Sequence, residues 1–446
     1  MAEVILFPVS IILEIPIGIT GKNADLLVGT GMKLVQFSFI DSDTPVGPPV
    51  RGGSFLCNDI HRETPMQRSR FLYCLLFLSM TLTSVKADDV EQQIKQIKQV
   101  QKEGQGNQAA SQAVQQLSKA DASALIPILS SFEGANPLAV NWLCGAFEAV
   151  AANAIEQKQL PADELEAFVL DKSKNPRARR LAYETLIKVD PDATDRIIPG
   201  MINDASVTLR RDAVKRLIDE AKALEKAGKK DQAKQIYQQA LSGATDDDQV
   251  KAIVKPLRAL GEKIDLQKHF GFLSDWKIIG PFDNTERKGY DTAYAPEEKL
   301  DFSVAFEGKE GKVNWKSVNT DDDYGIFDIA KEISPYKGAV MYCAADFYSP
   351  DEQSLEIRLG TPNAWKIWVN GKLLFARNEY HRGMVMDQYS VPVTFKPGKN
   401  VILLKLCQNE QTESWAQRYQ FQLRIARPSG TGVLSEKPEA TTQLSR

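Results

Sequence analysis

Residues 364–375 read AWKIWVNGKLLF, and this stretch decides the fold of the C-terminal half. Two apolar runs of strand length flank Asn370-Gly371. Both central positions of a two-residue hairpin turn need positive φ, which Asn and Gly tolerate best, so the stretch predicts a β-hairpin. Successive side chains of a strand point to opposite faces. Trp365, Ile367 and Val369 therefore share one apolar face, which belongs in a core. Lys366, Trp368 and Asn370 share a mixed face, which predicts that Trp368 points outward.

Further runs of strand length lie at 276–279, 301–306, 340–347, 354–360, 390–395, 401–407 and 420–425. Turn signals separate them, among them KPGKN at 396–400. Many short strands with regular turns predict an antiparallel β-sandwich or jelly roll over 275–427. WKIIGPFDN (276–284), AWKIWVNGK (364–372), KPGKNVILLKL (396–406) and the closing aromatic-rich strand resemble the galactose-binding-domain-like jelly rolls. That resemblance implies a module of exported bacterial proteins and glycoside hydrolases that often binds carbohydrate through its loops or one open face. The chain departs from the commonest form just before the hairpin. An Asp-Asp-Gly-type turn is usual there, whereas this chain has Thr361-Pro362-Asn363, so a role for that acidic pair is in doubt.

On this reading the candidate ligand contacts are Trp368 and Lys366 on the strand, with Tyr380, His381, Arg382 and Trp415 in loops. An aromatic ring can stack on the apolar face of a sugar while polar neighbours bond its hydroxyls. The competing reading packs both tryptophans into the protein, where large aromatics mostly serve. Asp283, Asp321 and Asp323 are calcium candidates, since Ca²⁺ takes six to eight oxygen ligands. No spaced calcium loop accompanies them, and solvated turn acids are the alternative; no cofactor is expected.

Upstream, residues 88–266 carry helical periodicity. Val90, Ile94 and Ile97 form one stripe, and Asp121 is placed to cap a helix burying Leu125, Ile128, Leu129 and Phe132. Asn136-Pro137 opens another helix, with Val140, Leu143, Phe147 and Val150 inward, and Asn175-Pro176 repeats the phrase. RRLAYETLIKV (179–189) and RRDAVKRLIDEA (210–221) resemble the second helices of HEAT repeats. LEKAGKKDQAKQIYQQAL (224–241) resembles a tetratricopeptide-type hairpin turning at Gly228. These resemblances imply an α-solenoid, whose stacked repeats share a core and leave a concave face for a protein partner. Arg177, Arg179, Arg180, Arg210 and Arg211 either line that face or bond helix ends and carboxylates of adjacent repeats.

The fold class expected is thus multidomain α + β, an N-terminal α-solenoid followed by a C-terminal antiparallel sandwich. The composition shift near 261–275 marks the boundary, and 428–446 reads as a disordered tail.

MQRSRFLYCLLFLSMTLTSVKADD, at 66–89, holds a basic start at Arg68 and Arg70 and an apolar stretch from Phe71 to Thr83. Small residues at Val85 and Ala87 then fit signal cleavage after Ala87. A leader works only from the emerging N-terminus, so residues 1–65 read as a spurious or disordered extension and 66–87 as the signal peptide. Export to the periplasm or outside the cell follows, with no membrane anchor after cleavage.

Across 446 residues the net charge of −3 argues against a nucleic-acid partner, which needs a basic surface. Five scattered cysteines make no disulfide framework, although Cys343 and Cys407 fall in strands of one domain. They either pair or stay as buried thiols. The sequence contains no G-x-S-x-G, H-E-x-x-H or P-loop motif. It points to a non-catalytic exported scaffold, its solenoid for a protein partner and its sandwich for polysaccharide or protein. The alternative is a carbohydrate-active enzyme or an accessory subunit of a glycoside hydrolase.

Overall fold

A computed structural model describes residues 87–437, all within one compact unit. The expected extension over 1–65, the expected leader up to Lys86 and residues 438–446 lie outside the described residues.

Helices come first. They are α1 (Ala87–Lys98), α2 (Asn107–Leu117), α3 (Leu125–Ser130), α4 (Pro137–Glu156), α5 (Ala162–Leu170), α6 (Pro176–Leu186), α7 (Ala193–Ile197), α8 (Val207–Lys226), α9 (Lys230–Gly243), α10 (Asp247–Ala259) and α11 (Leu266–Phe270). The starts follow from the caps. Asn136 and Asn175 each accept two backbone N–H bonds of the following turn, and each is followed by proline at the first helical position. Asp121 accepts from Ser123 N and opens the 3₁₀ turn that leads into α3. One face of each of α1–α7, with the start of α8, then enters a shared core that includes Val90, Ile97, Leu125, Leu143, Phe147 and Leu186, while α8–α11 share a second one with Val214, Tyr237 and Ile253. Each such side chain contributes about 1.5–3 kcal/mol on burial. By length and composition α4 alone among the described helices could cross a membrane, and here its Leu143, Phe147 and Val150 are buried in the first core.

The second half is an antiparallel β-sandwich. Its strands are β1 (Asp275–Asp283), β2 (Phe306–Gly308), β3 (Gly311–Val313), β4 (Lys316–Asn319), β5 (Phe327–Asp328), β6 (Ala339–Ser349), β7 (Gln353–Gly360), β8 (Ala364–Val369), β9 (Lys372–Arg377), β10 (Tyr389–Phe395), β11 (Gly398–Gln408) and β12 (Gln420–Ala426). Two short helices, α12 (Ala295–Glu298) and α13 (Ile329–Glu332), interrupt them. One sheet has the order β4-β1-β6-β11-β8-β9, the other β10-β7-β12-β5. The hairpin turn forms as its residues require, with φ of 51° at Asn370 and 80° at Gly371. Residues 301–306 do not form the expected strand, and only Phe306 enters β2. Asp301 accepts from Ser303 N and Ser303 Oγ, a local turn that competes with strand pairing.

Two cores flank the six-stranded sheet. Between the sheets lie Trp276, Cys343, Trp365, Ile367, Leu404 and Phe421. On the other face, residues 284–315 fold back over the sheet. Tyr290, Phe302, Phe306 and Trp315 there cover Ile279, Tyr342, Trp368, Leu403 and Cys407. Cys343 pairs in register with Leu404, three residues from Cys407, so the two cysteines face opposite sides. They are separate buried thiols, and burial pushes Cys407 up to about 12.

The composition shift near 261–275 does not mark a free linker. Phe270 and Phe272 belong to the α8–α10 core, against which Tyr324 and Met386 of the sandwich pack. Arg424 donates to Phe270 O, Gly430 O and both carboxylate oxygens of Asp387. Residues 428–437, expected to be disordered, run along the sandwich: Val433 N donates to Ile425 O and Glu436 N to Tyr348 O. Arg210 of α8 reaches Thr431 Oγ1 at 3.0 Å.

Candidate functional site

The strand candidates do not form a surface. Trp368 lies opposite Trp365 across the sheet, as alternation requires, but it is only 8% exposed and sits in the covered core. The outward reading of Trp368 is therefore corrected: its face is roofed by residues 284–315. The roof is tied down electrostatically. Lys405, fully buried, donates at 2.7 Å to both Glu297 Oε1 and Thr292 O, and Tyr342 Oη donates to the same carboxylate. Burial pushes the Lys405 ammonium below its usual value, against the opposing pull of Glu297. Lys366 is half-buried, its ammonium 4.5 Å above the centre of the Tyr290 ring.

The loop candidates, by contrast, converge. Three segments meet at one end of the sandwich: the start of the roof after β1, the β9–β10 loop (378–388) and the β11–β12 loop (409–419). Asn284 N donates to Gly338 O, and Gly338 N donates to Asn409 O. Asn284 Nδ2 donates to Gln408 O and to Tyr380 Oη. His381 Nε2 lies 2.7 Å from Asn409 Oδ1, and its ring meets Trp415 edge to face with centroids 5.1 Å apart. The Arg287 guanidinium stands 5.1 Å over the Tyr380 ring, and Glu410 accepts from Glu286 N. Burial pushes the Tyr380 hydroxyl up to about 12, so it stays protonated and able to donate. Arg382 lies at the exposed edge, beside Glu379 at 3.4 Å.

Trp415 is 60% exposed, although the backbone beneath it is firmly held. Lys337 Nζ and Gln408 Nε2 both donate to Ala416 O, the carbonyl of the next residue. Gln408 Nε2 and Asn363 Nδ2 both donate to Arg418 O, and Asn363 Oδ1 accepts from Gln420 N. Thr361 Oγ1 donates to Gln420 O. The turn that departs from the usual acidic form thus contributes two buried polar side chains supporting the Trp415 loop. Sequence reasoning missed Asn284, Asn363, Gln408 and Asn409. For Gln408 and Asn409 the available signal was a pair of amides at the end of a long apolar strand; Asn284 and Asn363 lie in separate segments and carried no such signal.

Other candidates separate. Asp283 accepts from Thr285 and faces Lys309, Asp323 forms a bidentate pair with Arg258, and Asp321 is exposed. The described residues contain no group of three metal-ligating acids, histidines or cysteines. The five arginines do not form an open basic stripe. Arg179 is fully buried, bidentate to Asp204 at 2.7 and 2.9 Å. Arg180 pairs with Glu184 and Asp212, Arg211 with Asp246 and Asp248, Arg210 donates to Asp204 O and Arg177 to Asn141. A groove of about 530 Å³ between the start of β1, β4 and residues 433–437 contains none of the candidates.

No protein-family model and no curated protein sequence matches the chain. Among solved structures it is similar to a β-glucosidase from Kluyveromyces marxianus in complex with glucose, at 10% identity and a TM-score of 0.23. That match covers 34% of this chain and 16% of the glucosidase, so the chain spans only a small part of it. A family 35 carbohydrate binding module from Clostridium thermocellum matches at 17% identity and TM-score 0.15, over 20% of this chain and 78% of the module. The PA14 domain of the antifreeze protein MpAFP matches at 10% identity and TM-score 0.18, over 38% and 77% of the two chains.

Proposed function

We propose that this chain is a non-catalytic exported binding protein whose sandwich takes a carbohydrate on Trp415 and its neighbours. The observation that carries the reading is an exposed indole on a loop fixed from beneath by buried amides. A ring presented on a rigid mount loses little conformational freedom when a ligand stacks on it. Tyr380, His381 and Arg382 then offer donors and acceptors suited to ring hydroxyls. Trp415→Ala should weaken retention in polysaccharide affinity gels about 30-fold or more, as loss of a central aromatic anchor does. Its stability should change by no more than about 0.5 kcal/mol, because the ring is in solvent. Unchanged retention of every polysaccharide that the wild type binds would remove Trp415 from the site.

The helical half we read as a HEAT-like stack that holds a protein partner. Its support is the Asn-Pro cap repeated at Asn136 and Asn175 and the α8–α9 hairpin turning at Gly228. For export the support is the leader at 66–87. The first buried side chain beyond the expected cut is Val90, so cleavage after Ala87 removes nothing from the described core. Mass spectrometry of native protein should find an N-terminus near Asp88; abundant peptides from 1–65 would refute the leader.

A further inference from the structure

The edge of the six-stranded sheet at β9 is unlike the other edges of the sandwich. An open edge is a row of unpaired backbone donors and acceptors, and proteins normally blunt it. Edge strand β4 does so with exposed Lys316, Ser317 and Asn319. At β10 the exposed residues are Ser390, Pro392 and Thr394, and proline has no N–H to offer. The β5 edge is two residues long and runs into α13. Strand β9 instead exposes Leu373 at 48% and Phe375 at 39%, with Lys372 and Arg377 at its two ends.

The register shows how these side chains stand. Phe375 is opposite Ile367 and Leu373 opposite Trp368, with an irregularity between the two pairs. Ile367 and Trp368 face opposite sides of the sheet, so Leu373 and Phe375 do as well. A strand added here would meet an apolar side chain on either face. We propose that β9 is a docking edge for an extended segment of a partner protein, apolar at its centre and carrying Asp or Glu at both ends.

The charges select that occupant over a second copy of this chain. Centred antiparallel on its own duplicate, β9 would set Lys372 against the Arg377 position of the other copy at both ends. Like charges directly opposite each other destabilise a strand pair, whereas opposite charges stabilise it. An acidic-flanked strand reverses both contacts, and strand addition of this kind draws affinity from main-chain bonds and specificity from alternate side chains.

The test uses two labelled peptides with Gly-Ser tails for solubility, one with the centre Asp-Val-Ile-Val-Ile-Glu and one with Lys at both ends of the same centre. Fluorescence anisotropy with the full chain should show the acidic peptide binding about tenfold more tightly, from two reversed charge contacts. Hydrogen exchange at 372–377 should slow when it binds. Leu373→Lys should cost about tenfold in acidic-peptide affinity without moving the melting temperature, because Leu373 is half in solvent. Phe375 is left intact because its ring stacks on buried Trp365. Equal binding of the two peptides, binding of neither, protection confined to other segments or an unaffected Leu373→Lys variant each overturns the proposal. So does a concentration-dependent dimer that Leu373→Lys abolishes, which would make the occupant a second copy.

Discussion

Asp204→Ala is expected to destabilise the protein by about 3–5 kcal/mol, the range seen when one partner of a buried ion pair is removed. Arg179 is fully buried and its guanidinium has three partners that matter: both oxygens of Asp204, and Val169 O at 2.7 Å. Without Asp204 a full charge remains in the interior, with only a carbonyl to solvate it. Arg179→Met combined with Asp204→Ala removes that charge as well, and should recover most of the loss. Urea unfolding of the three proteins checks this, and a single variant losing less than about 1 kcal/mol would show that water reaches the arginine. Acid adds a second reading. Burial pushes the Asp204 carboxyl up, but the Arg179 bonds and the Ser206 N–H outweigh it and hold the group below its ordinary value. A carboxylate depressed in the folded state stabilises fully above its unfolded pKa of about 3.9, and that contribution fades as pH falls through the folded value. The gap between wild type and Asp204→Ala should therefore narrow below about pH 4.

Trp368→Ala should cost a further large amount, about 3–5 kcal/mol, because it empties the centre of the covered core. The ring lies among Ile279, Phe282, Tyr290, Tyr342 and Leu403, which are held beneath residues 284–315. Those neighbours cannot collapse freely, since Lys405 and Glu297 pin the roof to the sheet. A melting temperature for Trp368→Ala as high as that of Trp415→Ala would mean that the roof is loose in solution. The contrast between the two tryptophans is thus measurable on one instrument: one ring supports the fold, the other is offered to solvent.

Much of this was legible from local patterns. Strand parity placed Trp365 and Trp368 on opposite faces, and Asn370-Gly371 and the Asn-Pro caps placed turn and helix starts, because each rests on backbone chemistry within a few residues. What covers a face is a different kind of fact. A strand's alternation distinguishes its two sides but does not say which side meets water, and here both sides of β8 are core. The roof was illegible for the same reason that 301–306 misled: its aromatics Phe302 and Phe306 alternate as in a strand, while Asp301 and Ser303 bond locally into a turn. The loop site was half legible. Exposed aromatics and a histidine drew notice, but the buried amides that fix them, Asn284, Asn363 and Gln408, come from three distant segments joined only by the fold.

The bond from Arg210 to Thr431 spans 221 positions of the chain. On a ribosome making about 5–20 residues per second, α8 waits roughly 10–45 s for the partner that closes its guanidinium contacts. The face of the helical stack that meets the sandwich is therefore bare throughout synthesis of the second half. Its Phe270–Phe272 surface, made later, must be kept from wrong partners until Arg424 arrives 154 positions on, roughly 8–31 s at the same rate. A cell making this protein faces a problem of timing, set by one arginine near the middle of the chain and one threonine near its end.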